Sequence, residues 1–168
     1  SEFANKAMNN REDEIRPCIG CGRCLTGVMF GKPVGCTVNP SVESNVIEKA
    51  EEKKKVLVIG GGPAGMEAAY VASQRGHEVI LCEKESELGG LLRLACVPIA
   101  KQDLSKVIKF MITRLKKTDV DIRLNCEITS EMLENEFKDY IVLGTTGAKP
   151  RIIDAFTSFK STMTADDI

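Results

Sequence analysis

The feature that most constrains the fold is a glycine-rich loop between an apolar run and a predicted helix. The loop reads Gly60-Gly61-Gly62-Pro63-Ala64-Gly65. It follows the run 55–59 (KVLVI), whose β-branched residues predict a buried parallel strand, and it opens residues 63–74, which predict a helix. A second apolar run, 78–83 (EVILCE), predicts the next strand. This order predicts a βαβ unit and therefore an α/β fold with a parallel sheet.

The spacing of this loop, G-x-G-x-x-G, is a weak signal alone, but its place between a strand and a helix is that of the Rossmann dinucleotide-binding fingerprint. In that fingerprint Gly60 permits the tight turn, Gly62 lets a pyrophosphate approach the backbone, and Gly65 lets the helix pack closely. The start of the helix offers N–H groups to the phosphates. Glu83, 23 residues after Gly60, stands where an acid meets a ribose hydroxyl. The alternative is a glycine-rich turn that binds no ligand.

A second constraint is the crowding of four of the seven cysteines, Cys18, Cys21, Cys24 and Cys36, into one glycine-rich stretch. Because residues 17–40 are rich in Cys, Gly and Pro, we expect irregular loops there. Three thiolates at two-residue spacing plus one more suit a 4Fe–4S cluster, which needs one thiolate per iron. A structural zinc site is the alternative, although zinc ligands usually come as two separated pairs. The other cysteines, Cys82, Cys96 and Cys126, are interpreted as small buried hydrophobic residues.

Composition excludes several classes of function. The chain has 23 Lys and Arg residues and 24 Asp and Glu residues, which gives a net charge of −1. It therefore lacks the excess of basic residues that is typical of proteins that bind nucleic acid or an anionic membrane. No apolar run approaches a membrane span, and residues 1–11 lack the apolar core of a signal peptide. We therefore expect a cytoplasmic protein without nucleic-acid or membrane partners. The single histidine, His77, lies in a predicted loop, and we predict no catalytic residue.

The chain divides at residue 54. Residues 1–54 are expected to hold an N-terminal helix, the cysteine segment and a charged linker, and 55–168 the first half of a Rossmann-like, three-layer FAD-binding domain. A helical stripe at 104–115, strands at 121–124 and 140–143, and a short helix at 131–137 are predicted. Leu88-Gly89-Gly90 after the acidic strand end, and Thr146-Gly147-Ala148 after a late strand, favour FAD over NAD.

These features together resemble the C-terminal half of the 2,4-dienoyl-CoA reductase / enoate reductase / trimethylamine dehydrogenase family, whose N-terminal half is an Old Yellow Enzyme-like FMN barrel. The most specific part of the resemblance is the cysteine block joined directly to the glycine loop. The matching segments are 13–21 (DEIRPCIGC), 31–40 (GKPVGCTVNP), 56–69 (VLVIGGGPAGMEAA), 76–79 (GHEV), 88–90 (LGG), 147–150 (GAKP) and 164–167 (TADD).

The resemblance implies an electron relay in which NAD(P)H reduces FAD, the 4Fe–4S cluster carries single electrons, and FMN in the barrel reduces an activated C=C bond. In the amine dehydrogenase branch of the family, the equivalent pocket holds ADP. The resemblance assigns the cluster to Cys18, Cys21, Cys24 and Cys36. It places the dinucleotide against Gly60, Gly62, Pro63, Ala64, Gly65, Glu83, Lys84, Gly90, Leu91, Lys101, Ile128 and Gly147.

The chain departs from the family pattern at three places. It carries no barrel before residue 1 and no nicotinamide domain after Ile168, so we expect FMN, NAD(P)H and turnover only in a longer parent enzyme, whose other domains are the expected partners. Leu91 stands where many relatives carry Gln, and Thr145-Thr146-Gly147 replaces the usual Ala-Thr-Gly. The leading hypothesis is an electron-transfer part of a flavin and iron–sulfur oxidoreductase. The alternatives are a zinc-stapled nucleotide-binding module without redox activity and the ADP-binding part of an amine dehydrogenase.

Overall fold

The centre of the molecule is a four-stranded parallel sheet in the order β3-β2-β1-β4. The structure is a computed structural model that describes residues 2–42 and 46–145. Val56 of β1 lies opposite Val79 of β2 and Ile141 of β4, which fixes the register of the central strands. The strands are β1 Lys55–Ile59, β2 Glu78–Cys82, β3 Asp121–Arg123 and β4 Ile141–Gly144. This sheet confirms the α/β fold.

Two helices, α3 (Pro63–Gln74) and α5 (Leu104–Lys116), pack on one face of the sheet. Successive residues of a strand point to opposite faces. Val56 and Val58 accordingly join the core beneath the helices, whereas Leu57 between them belongs to the other face. The helices contribute to this core Met66, Ala69, Ala72, Val107, Phe110, Met111 and Leu115. The predicted bounds of α3 are confirmed at both ends, because Pro63 occupies its first turn and Gly76 lies just past it.

The second face is covered by α6 (Ser130–Asn135) and the residues that follow it. The Thr129 hydroxyl caps this helix by accepting a hydrogen bond from the Met132 N–H at 3.2 Å. The helix ends two residues before the predicted position, and Phe137 is buried in the turn beyond it. The resulting layers of helix, sheet and helix give the three-layer arrangement of the predicted fold class.

The remaining helices are short. They are α1 (Glu2–Met8), α2 (Arg23–Met29) and α4 (Leu92–Ala95), with 3-10 turns at Glu12–Glu14 and Ile99–Lys101. The expectation of irregular loops throughout 17–40 is wrong at α2. Gly22 takes φ +72° and its carbonyl accepts the Thr26 N–H at 3.0 Å, so the run RCLTGVM begins a helix there. Within the described ranges, no helix is both long and apolar enough to cross a bilayer.

Candidate dinucleotide and metal sites

The glycine loop and the start of α3 pack so closely that a side chain on Gly60 or Gly65 would collide with neighbouring backbone atoms. A Cβ atom on Gly65 would lie 1.8 Å from the Gly60 carbonyl oxygen, well inside van der Waals contact. Gly60 itself has φ +106°, a conformation that other residues rarely adopt. Its N–H donates to the Cys82 carbonyl at 2.8 Å, which holds the turn against the end of β2. The turn and packing roles expected for these two glycines therefore have a direct steric basis.

Gly62, in contrast, borders open space. No atom lies within 4 Å of the position that a Cβ would occupy on this residue. Gly62 precedes Pro63 at the first position of α3, where the N–H groups of a first helical turn have no partner inside the helix. Ala64 is exposed beside it. The open side of the loop therefore presents a positive helix end, which suits a phosphate group.

Glu83 lies just past β2 and is only 6% exposed. Its carboxylate accepts the Gly61 N–H at 2.6 Å through Oε2 and the Glu85 N–H at 3.0 Å through Oε1. A carboxylate has about four acceptor positions, so these two bonds leave acceptor capacity for hydroxyl donors. Because Glu83 is bonded to the glycine loop, a ribose bound by the carboxylate would lie next to phosphates bound by the loop.

The Leu88-Gly89-Gly90 turn also belongs to this group. The Gly89 N–H donates to the Gly61 carbonyl at 2.9 Å, and a Cβ on Gly90 would lie 3.0 Å from the Gly62 Cα. Both Gly89 and Gly90 have positive φ, +125° and +52°. Leu88 is buried in the core and anchors the turn. The structure thus gathers Gly60–Gly65, Glu83 and Gly90 around one loop.

The other predicted contact residues that the structure describes lie outside this group. Lys84 is exposed and pairs with Glu85 at 3.6 Å, and Leu91 is 46% exposed just before α4. Lys101 is exposed in the 3-10 turn before α5, and Ile128 packs half-buried on the second face of the sheet. Gly147 lies outside the described residues.

Thr145 is a structural residue of the loop that sequence reasoning noted only as a departure from Ala. Its single hydroxyl hydrogen is shared between the carbonyls of Ile59 at 2.9 Å and Gly60 at 3.0 Å, and its N–H donates to the Ile59 carbonyl at 2.9 Å. The end of β4 is thereby tied to the end of β1. An Ala at this position would keep the backbone bond and lose the side-chain bonds.

The four cysteines of the predicted cluster are free thiols at the protein surface. Cys18, Cys21 and Cys24 are exposed and Cys36 is half-buried. The Cys21 Sγ lies 3.2 Å from the Thr37 Oγ1. The loop that carries Cys18, Cys21 and Cys24, here called the triplet loop, therefore contacts the residue that follows Cys36. In the part of the chain that the structure describes, no three His, Cys, Asp or Glu side chains are close enough to hold a metal ion. Cluster binding by these cysteines therefore stays a prediction.

The donor set nevertheless has the chemistry that iron–sulfur ligation requires. The Gly20 N–H donates to the Cys18 Sγ at 3.4 Å. The hydrogen bond from Thr37, followed by one from the Arg23 backbone, holds the pKa of Cys21 below its usual range. Gly20 and Gly22 both have positive φ, which turns the backbone around the thiols. Thiolates that accept N–H bonds are the ligands that tune such clusters.

The three remaining cysteines differ from one another. Cys82 is buried, and burial, followed by a hydrogen bond with Cys126, raises its pKa to about 12. Cys126 and Cys96 are half-buried. A thiol with a raised pKa is a poor nucleophile, which agrees with a packing role for Cys82.

A mostly apolar, half-open cavity of about 490 Å³ lies between the cysteine segment and α3. Cys36 and Val38 of the cysteine segment line one side, and Pro63 and Ala64 at the start of α3 line another. Met111 of α5 adds to the apolar wall. The start of α3 and the last predicted cluster ligand therefore border a common space.

The parallel sheet, the tight glycine loop and the buried acid at the end of β2 define a dinucleotide-binding domain of the Rossmann type. The family model of the FAD dependent oxidoreductases matches residues 55–139, about half of the chain. The chain belongs to this family.

Two curated relatives and one solved structure illustrate the similarity. Cinnamate reductase of Clostridium sporogenes is 38% identical over 157 residues, which cover 91% of this chain and 24% of that protein. Bilirubin reductase of Mediterraneibacter gnavus is 37% identical over 146 residues, or 84% of this chain and 23% of that protein. A structure of 2-naphthoyl-CoA reductase with 2-naphthoyl-CoA superposes with a TM-score of 0.83 and 32% identity, covering 90% of this chain and 24% of that one.

These matches confirm the resemblance to the 2,4-dienoyl-CoA reductase / enoate reductase / trimethylamine dehydrogenase family. The chain spans about a quarter of the length of these relatives. The relatives are oxidoreductases that differ in the substrates their names give, so the match establishes the class of chemistry and not the substrate.

Proposed function

We propose that this chain is the electron-transfer part of a flavin and iron–sulfur oxidoreductase. The glycine loop and Glu83 hold the FAD, and Cys18, Cys21, Cys24 and Cys36 hold a 4Fe–4S cluster. The observation that carries the proposal is the cavity lined by both Cys36 and the start of α3. Two redox groups that border one apolar space can exchange electrons without diffusing, and a bound FAD with a cluster supplies both two-electron and one-electron chemistry.

The residues of the chain bind and orient these groups. Gly62 and the α3 N-terminus receive the pyrophosphate, and Glu83 accepts the ribose hydroxyls while it keeps its bond to Gly61. The apolar side chains of Val38, Pro63 and Met111 border the space between the sites. Lys84 and Lys101 are further proposed contacts of the dinucleotide. Leu91 stands where many relatives carry Gln, so it does not supply the polar contact that Gln would make.

The parent enzyme, in this proposal, reduces activated C=C bonds with electrons from NAD(P)H through an FMN barrel, in a cytoplasmic setting where thiols stay reduced. Relatives named cinnamate reductase and NADH oxidase support this direction of electron flow. The barrel and the NAD(P)H-binding domain are the proposed partners of this chain.

A second candidate is an ADP site in an amine dehydrogenase. Dimethylamine dehydrogenase of a Hyphomicrobium species is 39% identical over 94 residues, which cover 51% of this chain. A histamine dehydrogenase structure from a Rhizobium species superposes with a TM-score of 0.79 at 28% identity. The glycine loop and Glu83 would hold the adenosine and phosphates in either case, so the two candidates differ in the group beyond the pyrophosphate.

The test is quantitation of metal, sulfide and nucleotide in protein purified without oxygen. The proposal expects about four irons, acid-labile sulfide and one FAD per chain. Mass spectrometry that finds only ADP selects the amine dehydrogenase candidate, and one zinc with no iron overturns the iron–sulfur assignment. Cys36→Ser should lose the iron, whereas the matched control Cys96→Ser should keep it.

A further inference from the structure

Arg16 joins the two ends of the cysteine segment. It lies two residues before Cys18, and its Nη1 donates to the carbonyl of Val38, two residues after Cys36. The Arg16 side chain is only 19% exposed. The Arg16 side chain therefore connects the backbone just before Cys18 to the backbone just after Cys36.

The same guanidinium packs against the helices of the dinucleotide domain. It lies 4.8 Å above the ring of Phe110 in α5, and its Nη2 is 3.7 Å from the Glu67 Oε2 in α3. Cation–aromatic contacts of this kind strengthen when they are shielded from water. Arg16 therefore connects the cysteine segment to both helices beneath the sheet core.

Glu67 is itself fixed by a second arginine. Arg114 donates to both oxygens of Glu67, from Nη1 at 3.0 Å and from Nη2 at 3.2 Å. The Arg114 guanidinium also lies 3.5 Å above the Tyr70 ring. A bidentate pair restricts the orientation of the carboxylate, so Glu67 offers Arg16 an anchor of defined position.

This triad of Arg16, Glu67 and Arg114 carries one positive charge that it does not compensate. Arg16 and Cys36 line the same cavity. Arginine stays protonated in proteins, and charges in partly buried sites are screened less than those at the surface.

We propose that Arg16 is a positioning residue that fixes the cysteine segment on α3 and α5 and raises the reduction potential of the iron–sulfur centre. The inference rests on the proposed function. Reduction of the centre adds one electron and therefore one negative charge, which a nearby fixed cation stabilises. No covalent bond of the protein forms or breaks in this step.

The test compares two substitutions of opposite charge effect in the full 168-residue chain reconstituted with iron and sulfide. Arg16→Gln removes the cation and should make the midpoint potential more negative, whereas Glu67→Gln removes the anion and should make it more positive. The reductant is dithionite, and the potential is followed by electron paramagnetic resonance. The expected change is about tenfold in the reduction equilibrium in each direction, or about 59 mV for one electron.

Two further variants separate charge from position. Arg16→Lys keeps the charge but loses the planar fork, so its potential should stay near that of the unmodified chain while proteolysis of residues 17–40 becomes faster. Lys117→Gln is the matched control. Lys117 pairs with Glu14 and Asp13 in the turn before the segment, and its loss should leave the potential unchanged.

The outcomes distinguish this inference from the proposed function. An unmodified chain that binds no iron overturns the proposed function. Iron-loaded Arg16→Gln with an unchanged potential overturns the inference alone. If Arg16→Gln loses the iron and Arg16→Lys keeps it, the positioning role is supported. The electrostatic role is then tested by Glu67→Gln alone, and a midpoint potential of that variant that is unchanged or more negative overturns it.

Discussion

The carboxylate of Glu83 accepts the backbone N–H of Gly61 at 2.6 Å. This bond joins the acid at the end of β2 to the middle of the glycine loop between β1 and α3. A Cβ on Gly61 would lie 2.9 Å from the same carboxylate oxygen and 2.4 Å from Leu88. The loop is thus shaped by Glu83 before any ligand binds, and a ribose and a pyrophosphate would meet groups that are already positioned relative to one another.

Glu83→Gln should therefore weaken both the fold and the nucleotide site. The amide has one acceptor oxygen instead of two, so one of the bonds to Gly61 and Glu85 is lost. Hydrogen bonds to a charged group are worth about 1.5–3 kcal/mol, and urea unfolding should show a loss of that size. Calorimetric titration with ADP should show weaker binding.

The control for this substitution is Glu85→Gln, since Glu85 is exposed and its side chain pairs only with Lys84 among the contacts described. A surface change of this kind should alter stability by less than about 0.5 kcal/mol. Equal effects of the two substitutions would show that Glu83 does not organise the loop.

Gly65 and Gly62 should respond differently to an added side chain. Gly65→Ala places a Cβ against the Gly60 carbonyl and should lower the free energy of unfolding by more than about 2 kcal/mol, because α3 must move away from the loop. Gly62→Val has room in the folded chain and should change stability little, but its side chain fills the side from which a pyrophosphate approaches. Thermal unfolding and ADP affinity, measured on both variants, separate the two effects.

Gly144→Val is the matched control for Gly62→Val, because a Cβ on Gly144 also meets open space and β4 accepts a β-branched residue. It should keep the ADP affinity. Undiminished ADP binding by Gly62→Val would remove the glycine loop as the phosphate site.

The thiol of Cys21 should ionise at lower pH in the folded, metal-free chain than in the unfolded chain. Thr37 and the Arg23 backbone stabilise the thiolate and lower its pKa, so the thiolate is present from a lower pH upward. Iodoacetamide alkylation of Cys21, followed by peptide mass spectrometry across pH, should reach half its maximal rate at a lower pH than in the urea-unfolded chain.

Thr37→Val should move this midpoint upward, and the same measurement in urea gives the unfolded reference. Identical midpoints in the folded and urea-unfolded chains would refute the contact between the triplet loop and Thr37.

Much of the fold follows from local sequence. The β-branched run 55–59 and the Pro63 and Gly76 signals set β1 and α3 correctly, because these signals act within a few residues. Glu83 could be assigned to the strand end in the same way. Its bond to Gly61 could not, since which N–H a carboxylate accepts depends on the path of the loop.

The sequence patterns could not predict contacts between residues that are far apart in the chain. The partners of Arg16 in α3 and α5 lie about 50 to 100 residues away in the chain, and only the folded helices bring them to it. The helix α2 was missed because the Cys and Gly content of its neighbourhood predicts loops. Cluster ligation by the four cysteines depends on the metal itself, whose binding energy orders such segments.

The most direct test of the account is an anaerobic dithionite titration of the chain loaded with iron, sulfide and FAD, followed by absorption and electron paramagnetic resonance. The account predicts about three electron equivalents per chain, two taken by the flavin and one by the cluster. An uptake of about two equivalents with no cluster signal in this chain, together with no cluster signal in the proposed longer parent, would contradict the iron–sulfur assignment.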